Sequence, residues 1–294
     1  MPGVQRSLAD DHGIRATLFS AGRPRRRRNR LILPICVGVF GALLLFGLLI
    51  GRAWLLPRYN DKFGDPPLLG HLEVDRKLLA TSIAVGQFVV SYTPEQGGQI
   101  YVIHVSEPGR RIWESVPGMS FVAAAYGHEK VDESRGSFFF SDKATGSTCG
   151  TQKLEKISEV AGTARLTGTL RCSGAGSAPF SMVFTALTPN QLGFELRIDD
   201  DDLNRAFLTY ASPASEHVFG FGEQFTYFDL KGRRVPIWVQ EQGIGRGLQP
   251  LTTAVDLMAR SGGSWHTSYV SIPHYITSLN RSLLTENYEY QIFD

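Results

Sequence analysis

The sequence is poor in cysteine and in net charge. Three cysteines in 294 residues exclude a disulfide-dense mini-protein. A hydrophobic fraction of 43% excludes a disordered chain, because such chains cannot bury enough apolar surface to fold. The net charge of +2 gives no sign of an overall basic protein. Length and composition therefore point to a folded chain of one large domain or two small ones.

Several common signatures of chemistry are also missing. A zincin helix would need a second histidine after His128-Glu129, and Asp132 stands at that position. The chain has no nucleophile elbow and no Walker A loop. No internal repeat of fixed period is present either. We therefore predict no metal site and no cofactor.

The two ends of the chain differ in charge. Residues 1–30 carry eight arginines against two aspartates, which leaves 22 basic and 26 acidic side chains in the remainder. Because phosphate binding needs a basic surface, the remainder is not expected to bind nucleic acid.

Residues 31–51 form an uncharged run of 21 residues. A helix of that length spans about 30 Å, the thickness of a bilayer core. The sequence thus predicts a cytoplasmic tail (1–30), a transmembrane helix (31–51) and a lumenal or extracellular remainder, which makes a type II single-pass protein in contact with membrane lipid. A cleaved signal peptide is the alternative, although Gly51-Arg52-Ala53-Trp54 is a poor cleavage site. The arginine run Arg25–Arg28 could also serve as a nuclear signal.

After a polar linker (52–69), short segments alternate with period two. In the stretch 164–172, Leu166 and Leu170 share one face, and polar side chains occupy the other. The apolar residues of 180–184 and of 192–198 alternate in the same way. Many short alternating segments separated by Gly and Pro predict an all-β sandwich or barrel.

The predicted orientation places two further features in an oxidising compartment. Cys149 and Cys172 are candidates for a disulfide, and two buried thiols are the alternative. Cys36 lies inside the predicted span. Asn280 begins an N-glycosylation sequon, Asn280-Arg281-Ser282.

The segment 217–247 combines aromatic residues, six glycines and polar side chains. Glu223, Gln224, Glu241 and Gln242 could each hydrogen-bond to hydroxyl groups. Aromatic faces beside such groups suit a sugar, which has apolar C–H faces and a polar rim. The alternative is a hairpin corner whose aromatic side chains fill the core.

Two stretches of this segment, FGFGEQFTYFDLKG (219–232) and VPIWVQEQGIGRG (235–247), resemble the N-terminal domain of glycoside hydrolase family 31. The likeness is greatest to the sulfoquinovosidase-like α-glucosidase branch. Upstream, the stretches 112–118 and 133–138 resemble plant-type members of that branch. The resemblance extends over residues 70–294.

The resemblance implies a galactose-mutarotase-like β-sandwich that packs against a catalytic (β/α)₈ barrel and acts on carbohydrate. It implies that Glu241, Gln242 and Arg246 lie nearest the substrate. The remaining positions that match the family pattern are Gly222, Glu223, Gln224, Phe225, Tyr227, Phe228, Asp229, Leu230, Gly243 and Gly245.

In family 31 the two catalytic aspartates belong to the barrel. The stretches that carry them have no counterpart in these 294 residues, and a retaining mechanism needs two carboxylates about 5–5.5 Å apart. We therefore expect the sandwich portion of a membrane-anchored α-glycosidase, without its barrel and inactive by itself. The alternative is a non-catalytic carbohydrate-binding or interaction module on a membrane anchor.

Overall fold

The computed structural model describes residues 37–47 and 68–294, except residue 175. The chain divides into two compact units, Met1–Leu56 and Pro57–Asp294. In the first unit, residues 37–47 form helix α1, and their side chains are exposed. The predicted tail (1–30) and nearly all of the predicted linker (52–69) lie outside the described residues.

The prediction of a transmembrane helix at 31–51 is wrong. In the described part of the chain, no helix has the length and apolar character that a membrane crossing requires. Residues 37–47 are the only part of the predicted span that the structure describes. The type II localisation and the lipid partner were derived from this span and are corrected with it. For the residues that the structure describes, the fold class becomes mainly β with two α-helices.

Strands make up most of the second unit. In chain order they are β1 (Leu72–Val74), β2 (Thr81–Val85), β3 (Phe88–Thr93), β4 (Gln99–His104), β5 (Arg111–Glu114), β6 (Val122–Ser134), β7 (Ser137–Cys149), β8 (Thr151–Val160), β9 (Thr163–Arg171), β10 (Ser177–Thr188), β11 (Gln191–Ile198), β12 (Arg205–Leu208), β13 (Val218–Gly222), β14 (Val235–Ile237), β15 (Ser271–Thr277), β16 (Ser282–Leu284) and β17 (Gln291–Phe293). Helix α2 (Leu251–Ala259) lies between β14 and β15.

The largest sheets have five and four strands, in the orders β1-β8-β9-β10-β11 and β2-β3-β4-β5. Strand β2 contacts β8, β9 and β10, so the two sheets face each other across a shared core. Three smaller sheets follow, with the orders β12-β6-β7, β13-β15-β16 and β14-β17. The long β6–β7 hairpin belongs to the first of these.

The alternating pattern in the sequence is confirmed by burial. On β9, Leu166 and Leu170 are fully buried, and Arg165 and Arg171 are exposed. On β10, the alternate residues Ala178, Phe180, Met182 and Phe184 are buried. Side chains on a strand point alternately to its two faces, so these residues fill the space between the large sheets.

A buried glutamine and a disulfide stabilise this core. The Oε1 atom of Gln152, which is fully buried, accepts hydrogen bonds from the backbone N–H of Phe121 at 2.9 Å and of Val122 at 3.3 Å. A disulfide joins Cys149, at the end of β7, to Cys172, which follows β9. Of the two alternatives that the sequence left open for these cysteines, the structure therefore contains the bonded one.

A second, smaller core supports the remaining sheets. Phe221, Leu230, Val235 and Tyr275 are buried together there. These residues come from β13, from the loop that follows it, from β14 and from β15. The second core therefore holds the two family-like stretches side by side.

Candidate functional site

Residues 239–247, which lie between β14 and α2, form a loop that carries the predicted substrate positions. We call it the 239–247 loop. Isolated parallel bridges pair Val239 with Ser268 and Ile244 with Gly262. The loop therefore lies along the segment 261–270, which connects α2 to β15.

Backbone hydrogen bonds fix the loop to this segment. The N–H of Ile244 donates to the carbonyl of Ser261 at 2.8 Å, and the N–H of Gly263 returns to the carbonyl of Ile244 at 3.0 Å. Gly243 has a φ of +66°, and a Cβ on it would overlap the backbone of Gly263. Glycine is needed there because both the positive φ and the close approach exclude a side chain.

Arg246 ties its loop to the segment 261–270. Its Nη1 donates to the Thr267 carbonyl at 2.8 Å, and its Nη2 donates to the Trp265 carbonyl at 2.9 Å. The guanidinium carbon lies 4.9 Å from the centre of the Phe225 ring. Desolvation lowers the pKa of Arg246, and the nearby Glu223 acts against that shift. The Arg246 side chain therefore uses its N–H donors to hold the loop against the segment 261–270.

Glu241 is also engaged within the protein. Its Oε2 accepts a hydrogen bond from the Tyr269 hydroxyl at 2.7 Å. That bond to the carboxylate raises the pKa of Tyr269. The backbone N–H of Glu241 donates to the Gly136 carbonyl at 2.9 Å.

The side chain of Gln242, unlike those of Glu241 and Arg246, is not bonded to another described residue. Its backbone carbonyl accepts a hydrogen bond from the Thr267 hydroxyl at 2.6 Å, so its position is fixed. Its side-chain amide, which is half-buried, makes no hydrogen bond within the part of the chain that the structure describes. An amide carries two donors and an acceptor with two lone pairs. Among the described residues, the side-chain amide of Gln242 therefore keeps its full hydrogen-bonding capacity.

The tip of the β6–β7 hairpin supports the loop from the other side. The Gly136 carbonyl at the tip accepts the Glu241 N–H, and the backbone N–H of Phe138 donates to the Oε1 of Gln240 at 3.1 Å. Gln240 is 7% exposed. Arg135 reaches α2 through a bond from its Nη1 to the Ala259 carbonyl at 3.3 Å. The loop is thus held between the hairpin tip and the segment 261–270.

The first family-like stretch leads from β13 to the surface beside this loop. The backbone N–H of Glu223 donates to the Val270 carbonyl at 2.8 Å, and the Nε2 of Gln224 donates to the Phe221 carbonyl at 3.2 Å. Gly222 has a φ of +81°, and a Cβ on it would overlap the Val270 carbonyl. Glu223 itself is exposed. Gln224 therefore has a structural role, and Glu223 faces solvent near Arg246.

Asp229 and Phe228 lie away from the loop. Asp229 accepts a hydrogen bond from the Nδ1 of His217 at 2.6 Å and others from the backbone N–H of Val218 and Lys231. These bonds, led by the one from His217, lower the pKa of Asp229 to about 2. Phe228 packs on Phe219 with ring centres 4.8 Å apart. Asp229 therefore closes the turn after β13.

Several residues of this site carry no signal in the sequence. Trp265 and Tyr269 contact the predicted residues but belong to neither family-like stretch. The ring of Trp265 lies 5.6 Å from that of Tyr227. Its neighbour His266 is largely buried, which lowers the pKa of that imidazole to about 4. In the sequence, only the small and polar residues of 261–268 could have indicated that the backbone of this segment packs closely against that of the 239–247 loop.

Asn280 lies apart from this site, in the exposed turn between β15 and β16. It has a φ of +53°, and its carbonyl accepts a hydrogen bond from the Nη1 of Arg110 at 3.2 Å. Its glycosylation stays a prediction.

Known proteins resemble parts of this chain. It is 31% identical over 172 residues to a sulfoquinovosidase of Agrobacterium fabrum (strain C58), and the match covers 58% of this chain and 24% of that protein. It is 34% identical over 105 residues to a sulfoquinovosidase of Escherichia coli (strain K12), which covers 35% and 16%. No family model matches. Both relatives are sulfoquinovosidases, and parts of this chain are similar to them.

A solved structure shares the fold. It is a glycoside hydrolase family 31 sulfoquinovosidase from E. rectale in complex with an aza-sugar inhibitor, with a TM-score of 0.52 and 23% identity. The likeness covers 73% of this chain and 28% of that one. The chain therefore spans about a quarter or less of the curated relatives it matches, and about a quarter of this structure. The plant-type branch and the position at the N-terminus of the enzyme stay predictions.

Proposed function

We propose that this chain is the N-terminal sandwich portion of a family 31 α-glycosidase that hydrolyses O-glycosidic bonds of the α-glucoside or α-sulfoquinovoside type. The observation that carries the proposal is the rigidly held 239–247 loop, which presents the open amide of Gln242. The two curated relatives support the substrate class, because both are named sulfoquinovosidases.

In this proposal Gln242 contacts the sugar, and its neighbours position it. The amide of Gln242 would bind a sugar hydroxyl. Arg246 and Glu241 keep the loop in place through their bonds to Thr267, Trp265 and Tyr269. The sequence predicts substrate contact for Glu241, Gln242 and Arg246, whereas the proposal assigns direct contact to Gln242 alone.

Two carboxylates of the family-like stretches, Glu241 in the loop and Asp229 after β13, do not suit the chemical step. Glu241 is bonded to Tyr269, and Asp229 is bonded to His217 and two backbone N–H groups. A retaining glycosidase needs one carboxylate free as nucleophile and a second as acid and base. We therefore assign the chemistry to a catalytic barrel, and expect the 294 residues alone to be inactive.

Exposed apolar side chains on α2 and in the segments that flank the site would contact that barrel. They include Phe225, Leu248, Leu251, Leu257 and Met258. Large exposed apolar surfaces on soluble proteins mark contacts with a partner, and in this proposal these side chains form such a surface. The barrel would cover this surface and receive the 239–247 loop at its mouth.

A chimeric enzyme tests the proposal. Residues 70–294 would replace the matching region of the Agrobacterium sulfoquinovosidase, and hydrolysis of an aryl α-sulfoquinovoside would be measured. We expect an active chimera in which Gln242→Ala lowers kcat/KM by about tenfold or more, because a hydrogen bond to the sugar is lost. Arg165→Ala, which changes an exposed side chain of β9, is the control and should leave kcat/KM unchanged.

Two results would contradict the proposal. One is hydrolysis of an aryl α-glucoside or α-sulfoquinovoside by the 294-residue chain alone. The other is an active chimera that Gln242→Ala leaves unaffected.

The open amide also favours a second candidate, a non-catalytic carbohydrate-binding module. An inactive chimera together with saturable binding of a neutral glucoside by the chain would favour that module.

A further inference from the structure

The turn between β15 and β16 carries the sequon Asn280-Arg281-Ser282, which the proposed function does not use. Backbone hydrogen bonds close the turn: the N–H of Asn280 donates to the Thr277 carbonyl at 3.0 Å, and the N–H of Thr277 donates to the Arg281 carbonyl at 2.9 Å. Asn280 and Ser282 are both exposed, and neither side chain makes a hydrogen bond with another described residue. The amide and the hydroxyl of the sequon are therefore open to solvent.

The contacts of Asn280 within the protein are made by its backbone. Its carbonyl accepts a hydrogen bond from the Nη1 of Arg110 at 3.2 Å. Its φ of +53° is a conformation that asparagine adopts more readily than most residues with a side chain. A substituent on the Nδ2 atom would leave these backbone contacts in place and extend into solvent.

The middle residue of the sequon, Arg281, is anchored inside the protein. Its side chain is 12% exposed, its Nε donates to the Oε1 of Glu216 at 2.5 Å, and its Nη2 donates to the Ala211 carbonyl at 3.1 Å. An enzyme that modifies a sequon has to bind all three residues in its own cleft. Because Arg281 must leave Glu216 first, the turn has to unfold locally before such an enzyme can bind it.

The disulfide between Cys149 and Cys172 agrees with a modification at this sequon. Structural disulfides form in oxidising compartments, and the endoplasmic reticulum, where sequons receive N-linked glycans, is one of these. The disulfide and the sequon therefore belong to the same chemical environment.

We propose that Asn280 accepts an N-linked glycan before Arg281 pairs with Glu216, and that folding of the turn then closes the site. In the transfer, the Nδ2 atom forms a bond to the anomeric carbon of a lipid-linked oligosaccharide. The C–O bond from that carbon to the lipid pyrophosphate breaks, and the proton lost from Nδ2 is taken up by the released pyrophosphate. This inference is independent of the proposed function.

The test uses the intact chain, a purified single-subunit oligosaccharyltransferase and a lipid-linked oligosaccharide. The enzyme is either present while the urea-denatured chain refolds with its disulfide intact, or added once refolding is complete. We expect a glycan on Asn280 in the first case and at least about tenfold less in the second, because the buried pair must open before the enzyme binds. Intact-mass spectrometry and peptide mapping measure the modified fraction and its position.

Two variants test whether the buried pair controls access to the sequon. Glu216→Gln leaves Arg281 without its partner and should raise modification of the folded chain by about tenfold or more. Asp142→Asn breaks a different ion pair, the one with Arg205. As the matched control, it should leave modification of the folded chain at the level of the wild type.

A second acceptor shows that the enzyme accepts this chain. Glu289→Thr creates a sequon at Asn287, which is exposed in the segment between β16 and β17. The proposal is overturned if Asn287 is modified during refolding and Asn280 is not. It is also overturned if the refolding and folded chains are modified equally, or if Asp142→Asn raises modification as much as Glu216→Gln.

Discussion

Glu216 and Arg281 form an ion pair almost completely removed from solvent. The side chain of Glu216 is 1% exposed and that of Arg281 is 12% exposed. Burial acts to raise the pKa of Glu216, but hydrogen bonds from Arg281, Ser212 and Thr277 outweigh it and lower the pKa from 4.5 to about 2. The pair joins the segment before β13 to the turn before β16, so it fixes the sheet beneath the site.

We predict that Glu216→Gln lowers the free energy of unfolding by about 3–5 kcal/mol, because it leaves the Arg281 charge buried without its partner. Replacing both residues, as in Glu216→Leu with Arg281→Met, should cost far less. Urea denaturation of the three proteins at pH 7 measures this difference. Similar losses in the single and double variants would contradict it.

The same pair makes stability depend on pH in a defined window. The pKa of Glu216 is lower in the folded state, so its contribution is fully present above pH 4.5 and is lost as the pH falls from 4.5 to about 2. Over that range the wild type should lose its advantage over Glu216→Gln.

The element that matters most for the site is the β6–β7 hairpin. Gly136 at its tip has a φ of +77°, and a Cβ there would lie 2.7 Å from the Cγ of Glu241. Gly162, in the turn between β8 and β9, has the same φ of +77° but no atom within 4 Å of such a Cβ. The two turns share the same left-handed φ, which glycine adopts without strain, and only the first contacts the 239–247 loop.

Gly136→Ala and Gly162→Ala should therefore both destabilise the chain by about 1–2 kcal/mol, the cost of a left-handed conformation for alanine. Only Gly136→Ala should also speed amide hydrogen exchange in the 239–247 loop, because it displaces Glu241. Hydrogen exchange with mass spectrometry measures both variants. Equal exchange in the loop of both would show that the hairpin tip does not hold it.

Periodicity was a good guide to the large strands and a poor guide to the elements around the site. The strands β9 and β10 have alternating side chains that the sequence displays directly. Helix α2 buries Thr252 and Thr253 rather than an apolar stripe, so no helical pattern was visible. The contact between Gly136 and Glu241 joins residues far apart in the chain, and no local pattern encodes it.

At residues 31–51, by contrast, the sequence pattern predicted a feature that the described residues do not show. Its length and lack of charge predicted a membrane span, but among the described residues no helix is long and apolar enough to cross a membrane. The family-like stretches were more informative, because their glycines and polar side chains correspond to specific backbone contacts. The exact use of those side chains still required the structure, since Arg246 and Glu241 bind within the protein.

The whole molecule carries its exposed apolar side chains beside the site. Leu257 is 72% exposed and Met258 is 87% exposed, both on α2. If a catalytic barrel covers this surface, the 294-residue chain alone should self-associate through it.

We predict that replacing Leu257 and Met258 together by Ser weakens self-association of the chain by about tenfold, because apolar area is removed from the contact. Sedimentation over a range of concentrations measures the effect. Leu79→Ser with Leu187→Ser removes two other exposed leucines, 74% and 64% exposed, and serves as the control. An equal effect of both pairs would indicate general stickiness rather than a specific surface.

The support of the 239–247 loop by a distant hairpin tip has a consequence for how such proteins diverge. Inserting or deleting a residue pair in β6 or β7 would move the tip away from Glu241, even if the exposed strand faces tolerated every substitution. Hairpin length should therefore be inherited together with the loop, while the side chains along the hairpin drift. A designer who transplants the loop to another sandwich would have to transplant its distant support as well.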